Sequence, residues 1–278
     1  MFYICNAYVG INSTSGIKND KYRSIILQMK KISATILAFN EEKHVGACLE
    51  SLRGIADEII VVDSGSTDRT VEICEEYGCR ICLRKFDGFG AQRQYATSLT
   101  THQYVLSIDA DEVLSPALQE SILRLKEEGF SHRVYSISRL NFYCGFPVRH
   151  CGWYPDRQIR LFDKRYANWN LRDVAETVIF RDSVRPALVD GDILHHRCDT
   201  PQQYEAVVNS HAKMKAKVLA AKDDEIGALS PFIHGLKAFW KTYVRKGGIF
   251  EGKVGREISR QSYRAEMLAY TAARKLKK

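Results

Sequence analysis

Asp109 and Asp111 stand one residue apart in Ile108-Asp109-Ala110-Asp111-Glu112, and two carboxylates so spaced repel each other unless a cation lies between them. A hard divalent ion such as Mg2+ or Mn2+ takes carboxylate oxygens together with those of a substrate phosphate. A second acidic turn, Asp63-Ser64-Gly65-Ser66-Thr67-Asp68, and a third, Phe39-Asn40-Glu41-Glu42, add polar groups. Asp63 can accept hydrogen bonds from a ribose or a base. Asp, Ser and Gly are common turn and cap residues, so each turn alone carries little. Three such turns at one sheet edge are not explained by capping. The expected ligand is a nucleoside diphosphate with a divalent metal.

The elements that must position these turns alternate in type. Ile32–Phe39, Glu58–Val62, Arg80–Arg84 and Tyr104–Ile108 read as strands, the second apolar enough to be buried on both faces. Between and after them, Glu41–Arg53, Thr67–Tyr77, Ala91–Leu99 and Ser115–Glu128 read as helices. Ser66 is the expected cap of the second, Gly78 its stop, and Pro116 and Gly129 bracket the fourth. Four βα units predict an α/β fold, a doubly wound, mostly parallel sheet with helices on both faces. In such sheets ligands bind at the carboxyl ends of the strands, where the acidic turns fall. Val134–Tyr143, Gln158–Phe162 and Thr177–Phe180 predict mixed or antiparallel strands, and 201–278 reads as helical and basic.

Composition narrows the classes. The chain has 278 residues, 45% hydrophobic and 27% charged, which excludes a disordered or disulfide-stapled protein. No apolar run reaches the ~18–20 residues of a membrane-spanning helix. Residues 201–278 hold 16 Lys and Arg against 7 Asp and Glu, whereas the body is nearly neutral. A basic end meets polyanions, but no nucleic-acid signature accompanies it. Eight cysteines include Cys79-Arg80-Ile81-Cys82, with His195-His196-Arg197-Cys198 the nearest other cluster; the spacing does not make a zinc finger, and reduced cytoplasmic thiols are expected. Neither a P-loop nor a G-x-G-x-x-G motif follows any strand.

Thr35-Ile-Leu-Ala-Phe-Asn-Glu-Glu42, Ile60-Val-Val-Asp-Ser-Gly-Ser-Thr-Asp-Arg-Thr70 and Ile108-Asp-Ala-Asp-Glu112, in this order, resemble family 2 glycosyltransferases of the GT-A fold over roughly residues 30–200. Ala38 stands where many members have proline. The resemblance implies a nucleotide-sugar donor, inversion at the anomeric carbon, and Mg2+ or Mn2+ held by Asp111 with Asp109. It places Ala38, Phe39, Asn40 and Glu41 by the uracil or ribose and Asp63, Ser64 and Ser66 by the base. Asp109 and Ala110 fall by the ribose or sugar. Arg93, in Gly88-Phe-Gly-Ala-Gln-Arg93, lies beside the sugar diphosphate. Gly152-Trp-Tyr-Pro-Asp-Arg-Gln-Ile-Arg-Leu-Phe162, Val174-Ala-Glu176 and Gly247-Gly-Ile-Phe-Glu-Gly252 are similar to the bacterial branch that adds glucose to lipopolysaccharide inner-core heptose, with Ala175 where many relatives have histidine.

On this reading the enzyme uses UDP-glucose or a similar UDP-sugar and a lipopolysaccharide-core or other lipid-linked acceptor. Inverting transfer also needs a base away from the metal. Glu176, in an apolar Val-Ala-Glu-Thr-Val setting that would raise its pKa, is favoured over Asp156, Asp163 and Asp173. Asp156 is the alternative base, its basicity lowered by Arg157 and Arg160. Residues 1–28 read as an N-terminal extension before a natural start at Met29, 29–200 as the catalytic domain, and 201–278 as an acceptor- and membrane-facing region. In that region Phe232, Leu236, Phe239, Trp240 and Tyr243 fall on one side of a helix with Lys237, Lys241 and Arg245 beside them, which predicts peripheral contact with an anionic membrane at its cytoplasmic face. A sugar-phosphate nucleotidyltransferase is the rival enzyme, although its first loop would be basic rather than Asn40-Glu41-Glu42. A non-catalytic nucleotide- or carbohydrate-binding module is the other rival.

Overall fold

The computed structural model describes residues 30–171, 176–181, 183–221 and 225–277. The expected extension 1–28, the start at Met29, Asp173 and Ala175 lie outside them. Ile32–Ala38 (β1), Glu58–Asp63 (β2), Arg80–Leu83 (β3) and Tyr104–Asp109 (β4) are the four expected strands, parallel in the order β3-β2-β1-β4. The register sets Leu37 opposite Asp109 and Ala38 opposite Asp63, so the polar turns emerge side by side. Ile32, Ile36, Ile60 and Leu106 are fully buried, each contributing about 1.5–3 kcal/mol.

The helices Val45–Leu52 (α1), Thr70–Glu76 (α2), Phe89–Ser98 (α3) and Pro116–Glu128 (α4) are shorter at their starts than predicted or shifted by a residue or two. The first two lose a turn for a common reason. Asn40 adopts a left-handed φ of 55°, the Glu41 N–H donates to Thr70 Oγ1 at 2.7 Å, and Glu42 N–H to Asp68 Oδ2 at 3.0 Å. Thr67 N–H donates to Asn40 Oδ1 at 2.8 Å. The two turns bond to each other before either chain becomes helical. Ser66 is consumed in that exchange, and Asp68, not Ser66, receives Thr70 N–H. Helix α4 starts as predicted, Ser115 Oγ accepting from Leu118 N–H at 3.3 Å.

The second half is mixed, as its aromatic and β-branched runs predict. Glu112–Leu114 (β5), Val134–Tyr143 (β6), Phe146–Pro147 (β7) and Asp156–Asp163 (β8) join the same sheet, while Ala167–Trp169 (β9) and Val178–Phe180 (β10) pair separately. Ala187–Cys198 (β11) completes the order β3-β2-β1-β4-β8-β6-β11-β5, with β7 on β6. The parallel-rich α/β sheet flanked by helices is therefore present. β8 is antiparallel to both β4 and β6, and β11 is parallel to β6. The carboxyl ends of β1, β2, β4, β6 and β11 thus share one edge.

β11 was not expected, because Asp190-Gly191-Asp192 interrupts its alternation. The register slips there, between Val189 and Asp192. Gly191 has φ 94°, and a Cβ on it would fall 2.3 Å from the Leu118 amide, so the bulge lets strand and helix touch backbone to backbone.

Beyond β11 come Pro201–Ala220 (α5), Ser230–Trp240 (α6), a π turn Lys241–Arg245, a 3-10 turn Gly248–Glu251, and Gly252–Leu276 (α7). Thr200 and Gln203 form a reciprocal cap on α5. Tyr143, Val148, Cys151, Cys198, Tyr204, Val208 and Ile258 form one apolar cluster, which crosses the boundary expected after residue 200 and ties these helices to the carboxyl ends of β6 and β11. Among the described residues no helix is long and apolar enough to cross a membrane.

Candidate active site

A cavity of about 640 Å³ opens at the shared carboxyl edge. Ala38, Phe39 and Glu41 reach it from β1, Ser64 from β2, Arg93 from α3, and Asp109, Ala110 and Asp111 from β4. Glu176 and His195 complete the lining. Nine of the residues singled out in the sequence therefore meet in one cleft.

Asn40, Asp63 and Ser66 do not line it. Asp63 is 1% exposed, its Oδ2 accepting the Gly65 and Ser66 N–H groups at 2.8 Å each and its Oδ1 the Ser66 hydroxyl. Ser66 Oγ in turn accepts Asn40 N–H at 2.9 Å. These three residues, expected to touch the nucleotide, hold the shape of the turn that presents Ser64 and Phe39. Gln92 adds a bond from Nε2 to Ser64 Oγ at 3.2 Å.

The repulsion between strand-end carboxylates is relieved by guanidinium groups. Arg93 Nη2 donates to Asp109 Oδ1 at 2.7 Å and to Oδ2 at 2.9 Å, and Arg160 Nη2 lies 3.2 Å from Oδ2. The same Arg160 nitrogen donates to Glu112 Oε1 at 2.8 Å, which also faces Arg139 Nη1 at 3.2 Å, and Arg139 Nη2 reaches Asp156 Oδ2 at 2.6 Å. Three arginines and three carboxylates alternate in sign across the sheet. Single buried charges cost several kcal/mol each, so the cluster persists only because every member is paired. Burial alone would raise the Asp109 carboxyl, but Arg93 and then Arg160 outweigh it and hold it well below the usual carboxylate range. Asp109, expected on the metal, is thus committed to arginines.

Asp111 is differently placed. Its Oδ2 lies 3.2 Å from His195 Nε2. His195 Nδ1 faces Asn141 Oδ1 at 2.6 Å, and Asn141 Nδ2 donates to the Trp153 carbonyl at 3.1 Å. The amide is oriented by Trp153, so its oxygen faces His195 Nδ1 as an acceptor, and Nε2 turns toward a carboxylate. A carboxylate oxygen and an imidazole nitrogen this close can serve as a donor set for a small divalent cation, with substrate oxygens and water filling the other positions. Among the described residues no group of three or more His, Cys, Asp or Glu converges on one point. The residues present fit such an ion through Asp111 and His195, with His195 in the place expected for Asp109.

Residues 33–185 match the sequence profile of glycosyl transferase family 2. The chain belongs to glycosyltransferase family 2. An uncharacterized glycosyltransferase of Rickettsia typhi is 32% identical over 200 residues, covering 69% of this chain and 68% of its own. The lipopolysaccharide core biosynthesis glycosyltransferase LpsC of Rhizobium meliloti is 29% identical over 196 residues, 66% of this chain and 70% of its own. Glucosyl-3-phosphoglycerate synthase of Mycobacterium tuberculosis, solved with Mn2+, UDP and glucosyl-3-phosphoglycerate, overlaps 48% of this chain and 51% of its own at 21% identity and a TM-score of 0.35.

In this glycosyltransferase Glu176 lines the same cavity as Asp111, but its setting is not the apolar one expected: Oε1 lies 3.5 Å from Arg93 Nε. That Nε is buried and has no hydrogen-bond partner among the described residues. Asp156, the alternative base, is outside the cavity lining, and its partner is Arg139 rather than Arg157 or Arg160. Burial would raise its carboxyl, but Arg139, with Gln158 behind it, holds it below the usual range. Arg157 is exposed on β8 and Arg160 is inside the ionic cluster.

Glu41 also lines the glycosyltransferase cavity. Its carboxyl is raised by burial and by nearby Asp111, against the opposing pull of a 2.9 Å bond to His44. Lys85, Phe86 and Phe89 form the outer lip, the two rings edge to face at 4.9 Å. The sequence reading missed His195, Asn141, Glu112, Arg139 and this lip. Of these, His195 carried a signal as a member of the His195-His196 pair, and Glu112 as the last residue of the Ile108–Glu112 motif.

Proposed function

We propose that this glycosyltransferase moves a hexose, glucose by the sequence resemblance, from a UDP-sugar to a hydroxyl of a lipopolysaccharide-core or other lipid-linked saccharide. The observation that carries the reading is that Asp111, His195 and Glu176 line one cavity, Asp111 beside His195 and Glu176 beside Arg93. The likeness to LpsC supports the choice of acceptor class.

Asp111 and His195 would hold Mg2+ or Mn2+. Such an ion supplies positive charge against the departing diphosphate. Glu176 takes the proton of the acceptor hydroxyl. The hydroxyl oxygen then bonds to the anomeric carbon from the face opposite the leaving group, the carbon–oxygen bond to the diphosphate breaks, and configuration inverts. Arg93, held by Asp109, places its guanidinium 3.5 Å from Glu176. Phe39, Phe86 and Phe89 offer faces to the base, and Ala38, Glu41, Ser64 and Ala110 border the nucleotide and sugar. The enzyme would work at the cytoplasmic face of the inner membrane, in peripheral contact with it.

Incubation with radiolabelled UDP-glucose, Mg2+ and lipopolysaccharide-core acceptor tests this. Free UDP and a labelled acceptor are expected. Release of pyrophosphate from a nucleoside triphosphate and a sugar phosphate would instead identify a nucleotidyltransferase.

A further inference from the structure

Helix α6 carries its large apolar side chains on the face away from the body. Its buried positions are Pro231 and Gly235. A Cβ on Gly235 would fall 2.9 Å from the Tyr263 ring of α7, so the two helices meet through small residues. Phe232, Ile233, Leu236, Trp240 and Val244 are exposed, recurring every three to four residues through α6 and the π turn. They form one stripe opposite the buried face. Trp240 is 58% exposed, and past the turn Phe250 is 77% exposed. An apolar strip of this extent on a surface marks an interaction site.

Cations border the stripe. Lys237, Lys241 and Arg245 each follow Leu236, Trp240 or Val244 by one residue, and with Leu236 and Trp240 they line a shallow depression of about 450 Å³. None of the three forms an ion pair with a described residue. The one acid between residues 229 and 253, Glu251, is turned inward, accepting from the Arg149 and His150 N–H groups at 2.8 Å each. The cations therefore face outward without compensation.

We infer that this stripe docks on an anionic lipid surface, with Trp240 and Phe250 entering the headgroup region and Lys237, Lys241 and Arg245 meeting lipid phosphates. Aromatic anchors beside unpaired lysines fit a membrane surface, whereas lysine is depleted where proteins meet. The location agrees: Cys151 N–H donates to the Lys246 carbonyl at 2.8 Å, which fixes the π turn to the segment after β6 and β7, at the edge that holds the cavity. The inference rests on the lipid-linked acceptor reading and names the surface that would bring the cavity to such an acceptor.

Co-sedimentation of the intact protein with vesicles tests it, using phosphatidylcholine alone and phosphatidylcholine mixed with phosphatidylglycerol, at low and high salt. Binding is expected to the mixed vesicles only, to weaken with salt, and to fall on the order of fivefold for each of Lys237→Gln and Lys241→Gln. Trp240→Ser should also weaken it, with unchanged thermal stability. No binding to mixed vesicles at low salt would overturn the inference, as would equal binding to both vesicles. A concentration-dependent dimer abolished by Trp240→Ser would assign the face to a second copy and overturn it too. A thermal shift with UDP-glucose in the same samples reports on the donor site separately: a donor response without vesicle binding rejects this surface alone, and vesicle binding without a donor response rejects the glycosyl-transfer reading alone.

Discussion

Asn141 Oδ1 sits 2.6 Å from His195 Nδ1, and the Trp153 carbonyl, 3.1 Å from Asn141 Nδ2, keeps that amide from turning over. The ring is thereby held with Nδ1 on the amide oxygen and Nε2 toward Asp111. Partners of this kind are worth about 10- to 100-fold in metal affinity. Asn141→Ala should weaken Mn2+ binding by that factor in a calorimetric titration. An unchanged Mn2+ affinity would remove His195 from the cation site.

Glu176→Gln keeps the shape of the side chain and loses the base. Turnover should fall by about 10²- to 10⁴-fold while the dissociation constant for UDP-sugar stays near that of the wild type. A wild-type turnover number in this variant would rule out the assignment.

Asp156→Asn should spare turnover, because Asp156 spends its carboxylate on Arg139 outside the cavity. It should cost stability, about 1–3 kcal/mol near neutral pH, as a charge-assisted pair is lost. The Asp156 carboxyl is depressed in the folded protein, so its stabilisation is full above the ordinary carboxylate pKa and is lost as pH falls through the folded value. The difference in Tm between wild type and variant should therefore be constant above about pH 5 and shrink in acid. A difference that grows in acid would contradict the pairing.

Arg93→Lys keeps the charge and removes the fork. One nitrogen can no longer serve both Asp109, which Nη2 holds, and Ser107, which Nη1 reaches at 3.3 Å, and the stacking of the guanidinium over Trp169, 4.7 Å from the ring centre, goes with it. Urea unfolding should show a loss of about 1–3 kcal/mol. Equal midpoints for the two proteins would mean the fork is dispensable.

The first four strands and the cleft at their ends were legible because apolar runs and acidic turns are local signals. What was not legible depends on partners far apart in the chain. The arginine partners of Asp109 come from afar, Arg160 on β8 and Arg93 on α3. Glu176 reads as apolar until Arg93 is seen beside it. Asn40 bonds the neighbouring turn and Asp63 its own, structural tasks that no local motif shows. His195 lay in a strand hidden by the bulge at Gly191, and the outward stripe of α6 emerged only when Gly235 was found to be the buried contact.

The most direct measurement is UDP release from UDP-glucose with a lipopolysaccharide-core acceptor, made on wild type and Asp111→Ala, each with Mn2+ and with EDTA. The account predicts turnover in the wild type with Mn2+ and none in the other three samples, with Asp111→Ala as thermally stable as the wild type. Undiminished wild-type turnover in EDTA, or wild-type turnover in Asp111→Ala, would contradict it.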